Sequence, residues 1–129
     1  MKIKSDFITN SSSASFLVAI KKDTPTSHLL TLFKPSVDTY FADLVKYGAE
    51  YELNFWAKRL SDEELTAENL LPIIVYEFMN LFNRRPVELD SWKAITRYFT
   101  NEDSEGIGNF MYSYLNIKND DFVKIASDD

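Results

Sequence analysis

The chain has 129 residues, no cysteine and a net charge of −6, with ten Phe, seven Tyr and two Trp among its 45 % hydrophobic residues. The length is that of one domain, and so many aromatics argue for a folded chain with ample core material, each ring burying ~150–250 Å². The lack of cysteine excludes disulfide scaffolds, zinc–thiolate centres, iron–sulfur clusters and thiol nucleophiles.

Lys2 and Lys4 precede Asp6 without an apolar run between, which is not the pattern of a secretory leader. The longest nearly apolar stretch, Leu70 to Tyr76, is far shorter than the ~20 residues of a membrane span. A cytoplasmic protein is therefore expected. Charge is uneven: residues 1–60 hold eight Lys/Arg against six Asp/Glu, and residues 61–129 hold six against fourteen. Such acidity gives no general attraction to a phosphate backbone, so direct nucleic-acid binding is not expected. It suits a solvated surface, or one that docks on a basic partner.

In chain order, Phe16 to Ile20 reads as a short strand buried on both faces, because its apolar run is continuous rather than alternating. Thr24-Pro25 is a helix start, with His28, Leu29, Leu32 and Phe33 forming about three turns that Pro35 stops. A second helix is expected over about Val37 to Tyr47, with Gly48 as its stop. Residues 49–60 fit either period; Tyr51, Leu53 and Phe55 alternate, yet the absence of β-branched residues favours helix.

Ser61-Asp62-Glu63-Glu64 has the spacing of a capping box. The strongest helix follows over about Leu70 to Arg84, with Asn69 as cap, Pro72 in the first turn and apolar residues on most sides. After Arg84-Arg85-Pro86, Asp90 is expected to cap another helix carrying Trp92, Ile95, Tyr98 and Phe99. Asn101 to Asn109 reads as loop, Phe110 to Leu115 as a short helix, and Phe122, Val123 and Ile125 as a last strand. The assembly is α+β: a mainly helical single domain, residues 1–129, with four to six helices over a small sheet formed by the N- and C-terminal strands.

The opening residues carry a motif. Phe7-Ile8-Thr9-Asn10-Ser11-Ser12-Ser13-Ala14-Ser15-Phe16, after a basic start, resembles an N-terminal TNSSS-type element of small bacterial and phage proteins of unassigned function. It covers about residues 1–20, with Ala14 interrupting the serine run. The resemblance implies a bacterial or phage setting and transfers no activity. Physically, the hydroxyls favour a turn feeding the first strand. As a ligand site, Thr9, Asn10, Ser11, Ser12 and Ser13 would form an anion nest, but without the glycine that close phosphate approach normally uses.

No catalytic set is recognisable. His28 is the single histidine, and no nucleophile elbow surrounds any serine. No calcium-loop order appears in Asn101-Glu102-Asp103-Ser104-Glu105-Gly106, and Gly106-Ile107-Gly108 lacks the third glycine of a dinucleotide loop. Neither a metal nor a cofactor is expected.

The favoured reading is an accessory protein that binds another protein with a basic surface, such as an acidic inhibitor of a host defence or nucleic-acid-handling protein. Its expected contacts are Asp62, Glu63, Glu64, Glu102, Asp103 and Glu105, with Tyr112 and Tyr114 as exposed aromatic anchors. Two alternatives remain. One is a small enzyme or ligand-binding protein using Asp6, Thr9, Asn10, Ser11 and His28; the other is a structural component that self-associates through surplus apolar surface.

Overall fold

A computed structural model describes residues 13–83, 86–100 and 106–128. Strand β1 (Ser13–Lys21) leads into helix α1 (Thr26–Lys46), followed by α2 (Glu50–Ala57) and α3 (Ala67–Phe82). A hairpin of β2 (Val87–Leu89) and β3 (Trp92–Thr100) comes next. The short α4 (Ile107–Asn109) runs on into a π-turn (Phe110–Tyr114), and β4 (Phe122–Asp128) completes the order. The sheet order is β2-β3-β1-β4, every pair antiparallel, so the first and last strands do pair and the fold is α+β.

One face of the sheet carries the core. Val18, Ile20 and Phe122 are buried, and the Phe122 ring meets Phe33 of α1 at 5.9 Å and Phe78 of α3 at 6.3 Å. Phe33 also meets Phe110 of the π-turn at 5.9 Å, so the helical layer lies on this side. Leu17 and Ala19, on the opposite side of β1, are only half-buried. Among the described residues the apolar run of β1 is thus covered by helices on one face, not two.

Pro35 does not end a helix. Leu29, Phe33, Val37, Tyr40 and Leu44 form one buried stripe at helical spacing straight through it. An interior proline costs ~3 kcal/mol. Burying each large apolar side chain returns ~1.5–3 kcal/mol, so the stripe prevails. The carbonyl that Pro35 leaves unpaired is that of Thr31, and both residues are exposed to water. Thr24, in turn, is not the cap: its hydroxyl donates to the Lys21 carbonyl at 2.6 Å and closes the turn before α1.

Residues 50–57 are helical, with Glu52 and Trp56 facing inward. The Ser61–Glu64 stretch is not a capping box but an irregular bend. Thr66 caps α3 instead, accepting from the Asn69 N–H at 3.1 Å, while the Asn69 amide donates back to the Glu64 carbonyl at 2.8 Å. Pro72 therefore lies in the second turn, on the exposed side.

The helix expected after Asp90 is a hairpin. Asp90 adopts φ 54° in the two-residue link between Leu89 and Trp92, a left-handed conformation suited to tight hairpins. All nine residues of β3 then pair with β1, which the β-branched and aromatic content of Ile95-Thr96-Arg97-Tyr98-Phe99-Thr100 accommodates. The helical spacing of its apolar residues was coincidental. No helix among the described residues is long and apolar enough to cross a membrane.

Gly106 opens the α4 segment with φ 71°, and a Cβ there would overlap the Phe55 ring. Gly48 ends α1 with φ 62° and has open space around it. Gly48→Ala should cost about 1–2 kcal/mol from the left-handed backbone alone. Gly106→Ala should cost roughly 1–3 kcal/mol more from overpacking. Equilibrium denaturation of the two variants checks this difference.

Candidate functional surface

Few of the sequence-derived site residues come together. Asp6, Thr9, Asn10, Ser11, Ser12, Glu102, Asp103 and Glu105 lie outside the described residues. Ser13 opens β1 opposite Thr100, so the end of the serine run is strand backbone. His28 is half-buried in the first turn of α1, its N–H bonded to the Pro25 carbonyl. Asp62, Glu63 and Glu64 are exposed on the bend between α2 and α3.

The aromatic anchors need correction. Tyr114 is 7 % exposed and its hydroxyl donates to Asp43 at 2.8 Å, so it is not an exposed contact. Tyr112 is half-buried and packs against the core. The reason is the π-turn, closed by the Leu115 N–H on the Phe110 carbonyl at 2.9 Å. It sets Phe110, Met111 and Tyr114 together against α1.

A buried polar cluster was missed by sequence reasoning. Glu52, 4 % exposed, accepts from the Tyr40 hydroxyl and from the Asn109 amide at 2.9 and 3.1 Å. Tyr40 in turn accepts from the Trp56 indole N–H at 2.7 Å. Burial, reinforced by the adjacent Glu52 carboxylate, raises the Tyr40 phenol well above its usual range. The Glu52 carboxylate, which only accepts, turns the Asn109 amide nitrogen toward itself and leaves Asn109 Oδ1 buried without a donor among the described residues. The four side chains join α1, α2 and α4 in the interior, with no opening to a substrate among the described residues. A helical reading of residues 50–57 carries the one available signal, since Glu52 then falls one turn from Trp56 on the buried face.

Lys124 of β4 is a second inward-facing ionisable group, here a cation. Its ammonium donates to the carbonyls of Tyr112 at 3.0 Å and Leu115 at 2.8 Å, at the end of the π-turn. Burial lowers its pKa from 10.5 to about 8. No group of three or more His, Asp or Glu among the described residues is arranged to hold a metal ion. An open groove of about 440 Å³ runs along α2, lined by Tyr51, Asn54, Phe55, Ala57 and Lys58. Arg59 stacks on Phe55 at 3.7 Å, but no acid–base pair converges there among the described residues.

The feature that stands out is the helix-free face of the sheet. Register places Val87, Ala94, Ala19 and Val123 in one row across the four strands, Thr96, Leu17 and Ile125 in the next, and Leu89, Trp92 and Lys21 in a third. Val87 is 67 %, Ile125 60 % and Val123 39 % exposed, while Leu17, Ala19, Trp92 and Ala94 are half-buried. Lys21, stacked over Trp92 at 4.9 Å, is the one charged residue in these rows. Exposed apolar residues on the helices are Val45 and the hydroxyl-bearing Tyr47, Tyr51 and Tyr76. A contiguous aliphatic face therefore belongs to the sheet.

No protein-family model, curated protein or solved structure matches the chain.

Two outcomes follow for the interior. Tyr40→Phe removes the acceptor of the Trp56 N–H and one of the donors to Glu52, and should cost ~1–3 kcal/mol in denaturant unfolding. Lys124 is penalised while charged in the folded state, so the unfolded chain binds more protons between its folded value of about 8 and 10.5. Stability should rise with pH across that window. Above about 10 the raised Tyr40 and Tyr114 phenols oppose the gain, because the unfolded chain then loses protons that the native state keeps. Thermal melts should show the rise in the wild type and not in Lys124→Met.

Proposed function

We propose that this chain is an accessory protein that acts by binding another protein, with the helix-free face of its sheet as the docking surface. The observation that carries the reading is the exposure of Val87, Val123 and Ile125 on one face whose neighbours are mostly apolar, Leu17, Ala19, Trp92 and Ala94, with Thr96 and Lys21 the polar positions of those rows. Exposed apolar surface of this kind is where interfaces form. Of the two outer strands, β2 has three residues and β4 turns Lys124 inward, both devices that discourage strand addition.

Charge supplies the second element. The chain carries −6 overall, and Asp62, Glu63 and Glu64 are exposed together. Such a surface steers association with a basic partner and raises the encounter rate. The N-terminal resemblance to small bacterial and phage proteins favours a partner of the host-defence or nucleic-acid-handling class, whose basic channels an acidic protein can occupy.

The test is affinity capture from a bacterial lysate with three baits. Wild type should retain a basic protein at low salt; Ile125→Asp should lose it. Reversing Asp62, Glu63 and Glu64 to lysine should slow association roughly tenfold at low salt, with little effect at high salt. Full retention by Ile125→Asp would overturn the docking face.

A further inference from the structure

Resting on the reading of the helix-free sheet face as the docking surface, we infer that it takes a single amphipathic helix of the partner, with Lys or Arg gathered at one end. Size selects one element. Three register rows on four strands, ~4.8 Å apart with ~3.4 Å rise per residue, give an apolar area about 14 Å on each side. This is far below the ~800 Å² per partner of a standard interface between folded proteins. It matches one helix, ~10–12 Å across, over about ten of its residues.

Relief sets where the helix lies. In the middle row the outer strands carry Val87 and Val123 and the inner strands Ala94 and Ala19, so the row is low at its centre. Ile125, the next outward residue of β4, continues the Val123 ridge, and all three bulky side chains are exposed. A helix laid along β1 and β3 fits between the ridges, with apolar residues at i, i+3, i+4 and i+7 against the alanine floor. Helices already cover the other face, where Phe33 and Phe78 meet Phe122, and a sheet with helices on both faces is a regular layered arrangement.

Charge sets its direction. Three turns meet at one end of the apolar rows, where the Lys21 N–H bonds the Asp121 carbonyl at 3.1 Å and the Lys22 N–H bonds the Ser91 carbonyl at 2.8 Å. They bring Asp23, Asp90, Asp120 and Asp121 to that end, all exposed and none ion-paired among the described residues. Of the lysines nearby, Lys22 is held by Glu88 at 3.3 Å, Lys21 stacks over Trp92, and Lys93 donates to Asn83 on the helical side. Lys118 offsets one of the four carboxylates. At the opposite end the register runs through Thr96 to Tyr98, Ser15 and Ser127, with no carboxylate at these positions. The basic end of the helix therefore lies over the aspartate turns and its apolar stripe over the alanines.

Panning a library of helix-forming ~15-residue peptides on the wild-type protein, with depletion on Ile125→Asp, tests the inference. Selected sequences should share an apolar stripe at helical spacing and Lys or Arg gathered at one end. The tightest, as a free peptide, should bind Ile125→Asp and Val87→Asp at least ~tenfold more weakly, with near-native melting temperatures for both exposed variants. Tyr76→Asp, an exposed change on α3, should bind it like wild type. Asp23→Asn, Asp90→Asn, Asp120→Asn and Asp121→Asn together should weaken it about tenfold at low salt and little at high salt. Asparagine keeps the left-handed backbone of Asp23 and Asp90, at φ 69° and 54°. Enrichment of no sequence, enrichment of sequences without a basic end, or full low-salt binding by the fourfold variant overturns the inference. If that happens while Ile125→Asp still loses the captured partner, the face is a docking surface and this helix is not its occupant. If neither peptide nor captured partner responds to Ile125→Asp, the docking reading fails too.

Discussion

The helical layer depends on one buried carboxylate. Removing Glu52 from water carries a penalty of several kcal/mol, which only well-formed hydrogen bonds offset. Tyr40 and Asn109 supply them, and Trp56 completes the chain by donating to Tyr40. These donors come from α1 and α4, so satisfying Glu52 places the eight-residue α2 against both. Gly106, held against Phe55, brings the chain back to the cluster where α4 begins. The Tyr40 ring then extends the contact to Phe110 and Tyr114 at 5.3 and 5.0 Å. An apolar core alone is tolerant of sliding; a buried charge with directed partners is not.

Concentrating the helices on one side leaves the sheet with two unequal faces. Val18, Ile20 and Phe122 are closed off by Phe33, Phe78 and Phe110, whereas Leu17, Ala19, Val123 and Ile125 have no layer above them among the described residues. The β4 strand shows the asymmetry residue by residue. Phe122 is core, Val123 is exposed, Lys124 turns inward to the π-turn carbonyls, and Ile125 is exposed again. A strand with its charge inside and its aliphatics outside reverses the ordinary pattern of a solvated sheet. That reversal links the packing to the proposed binding role.

The sequence made parts of this legible. The apolar runs at Phe16–Ile20 and Phe122–Ile125 marked the two strands that pair, and the stripe through Ile74, Val75 and Phe78 marked the central helix. A continuous apolar strand at Phe16–Ile20 signals two apolar faces, and among the described residues helices cover only one of them. What misled was local chemistry overruled by tertiary contacts. Pro35 is a strong breaker, yet it sits on the wet side of a stripe that is buried throughout. Trp92, Ile95, Tyr98 and Phe99 mimic helical spacing, while the length of β1 beside them imposes strand pairing. Glu52 was hidden because its value lies in partners more than ten residues away, Tyr40 and Asn109. Tyr114 looked like a surface tyrosine because nothing local announces the π-turn that buries it.

The two tryptophans report the two halves of the account. Trp56 donates its indole N–H to Tyr40 inside the buried cluster, and Trp92 lies beside Lys21 on the open sheet face. The most direct measurement follows both indole N–H resonances by two-dimensional NMR as a captured partner is added. The account predicts that the Trp92 resonance moves in the titration while that of Trp56 stays fixed and slow to exchange. A moving Trp56 beside an unchanged Trp92 would contradict it, placing the binding event at the helical cluster and leaving the sheet face without a role.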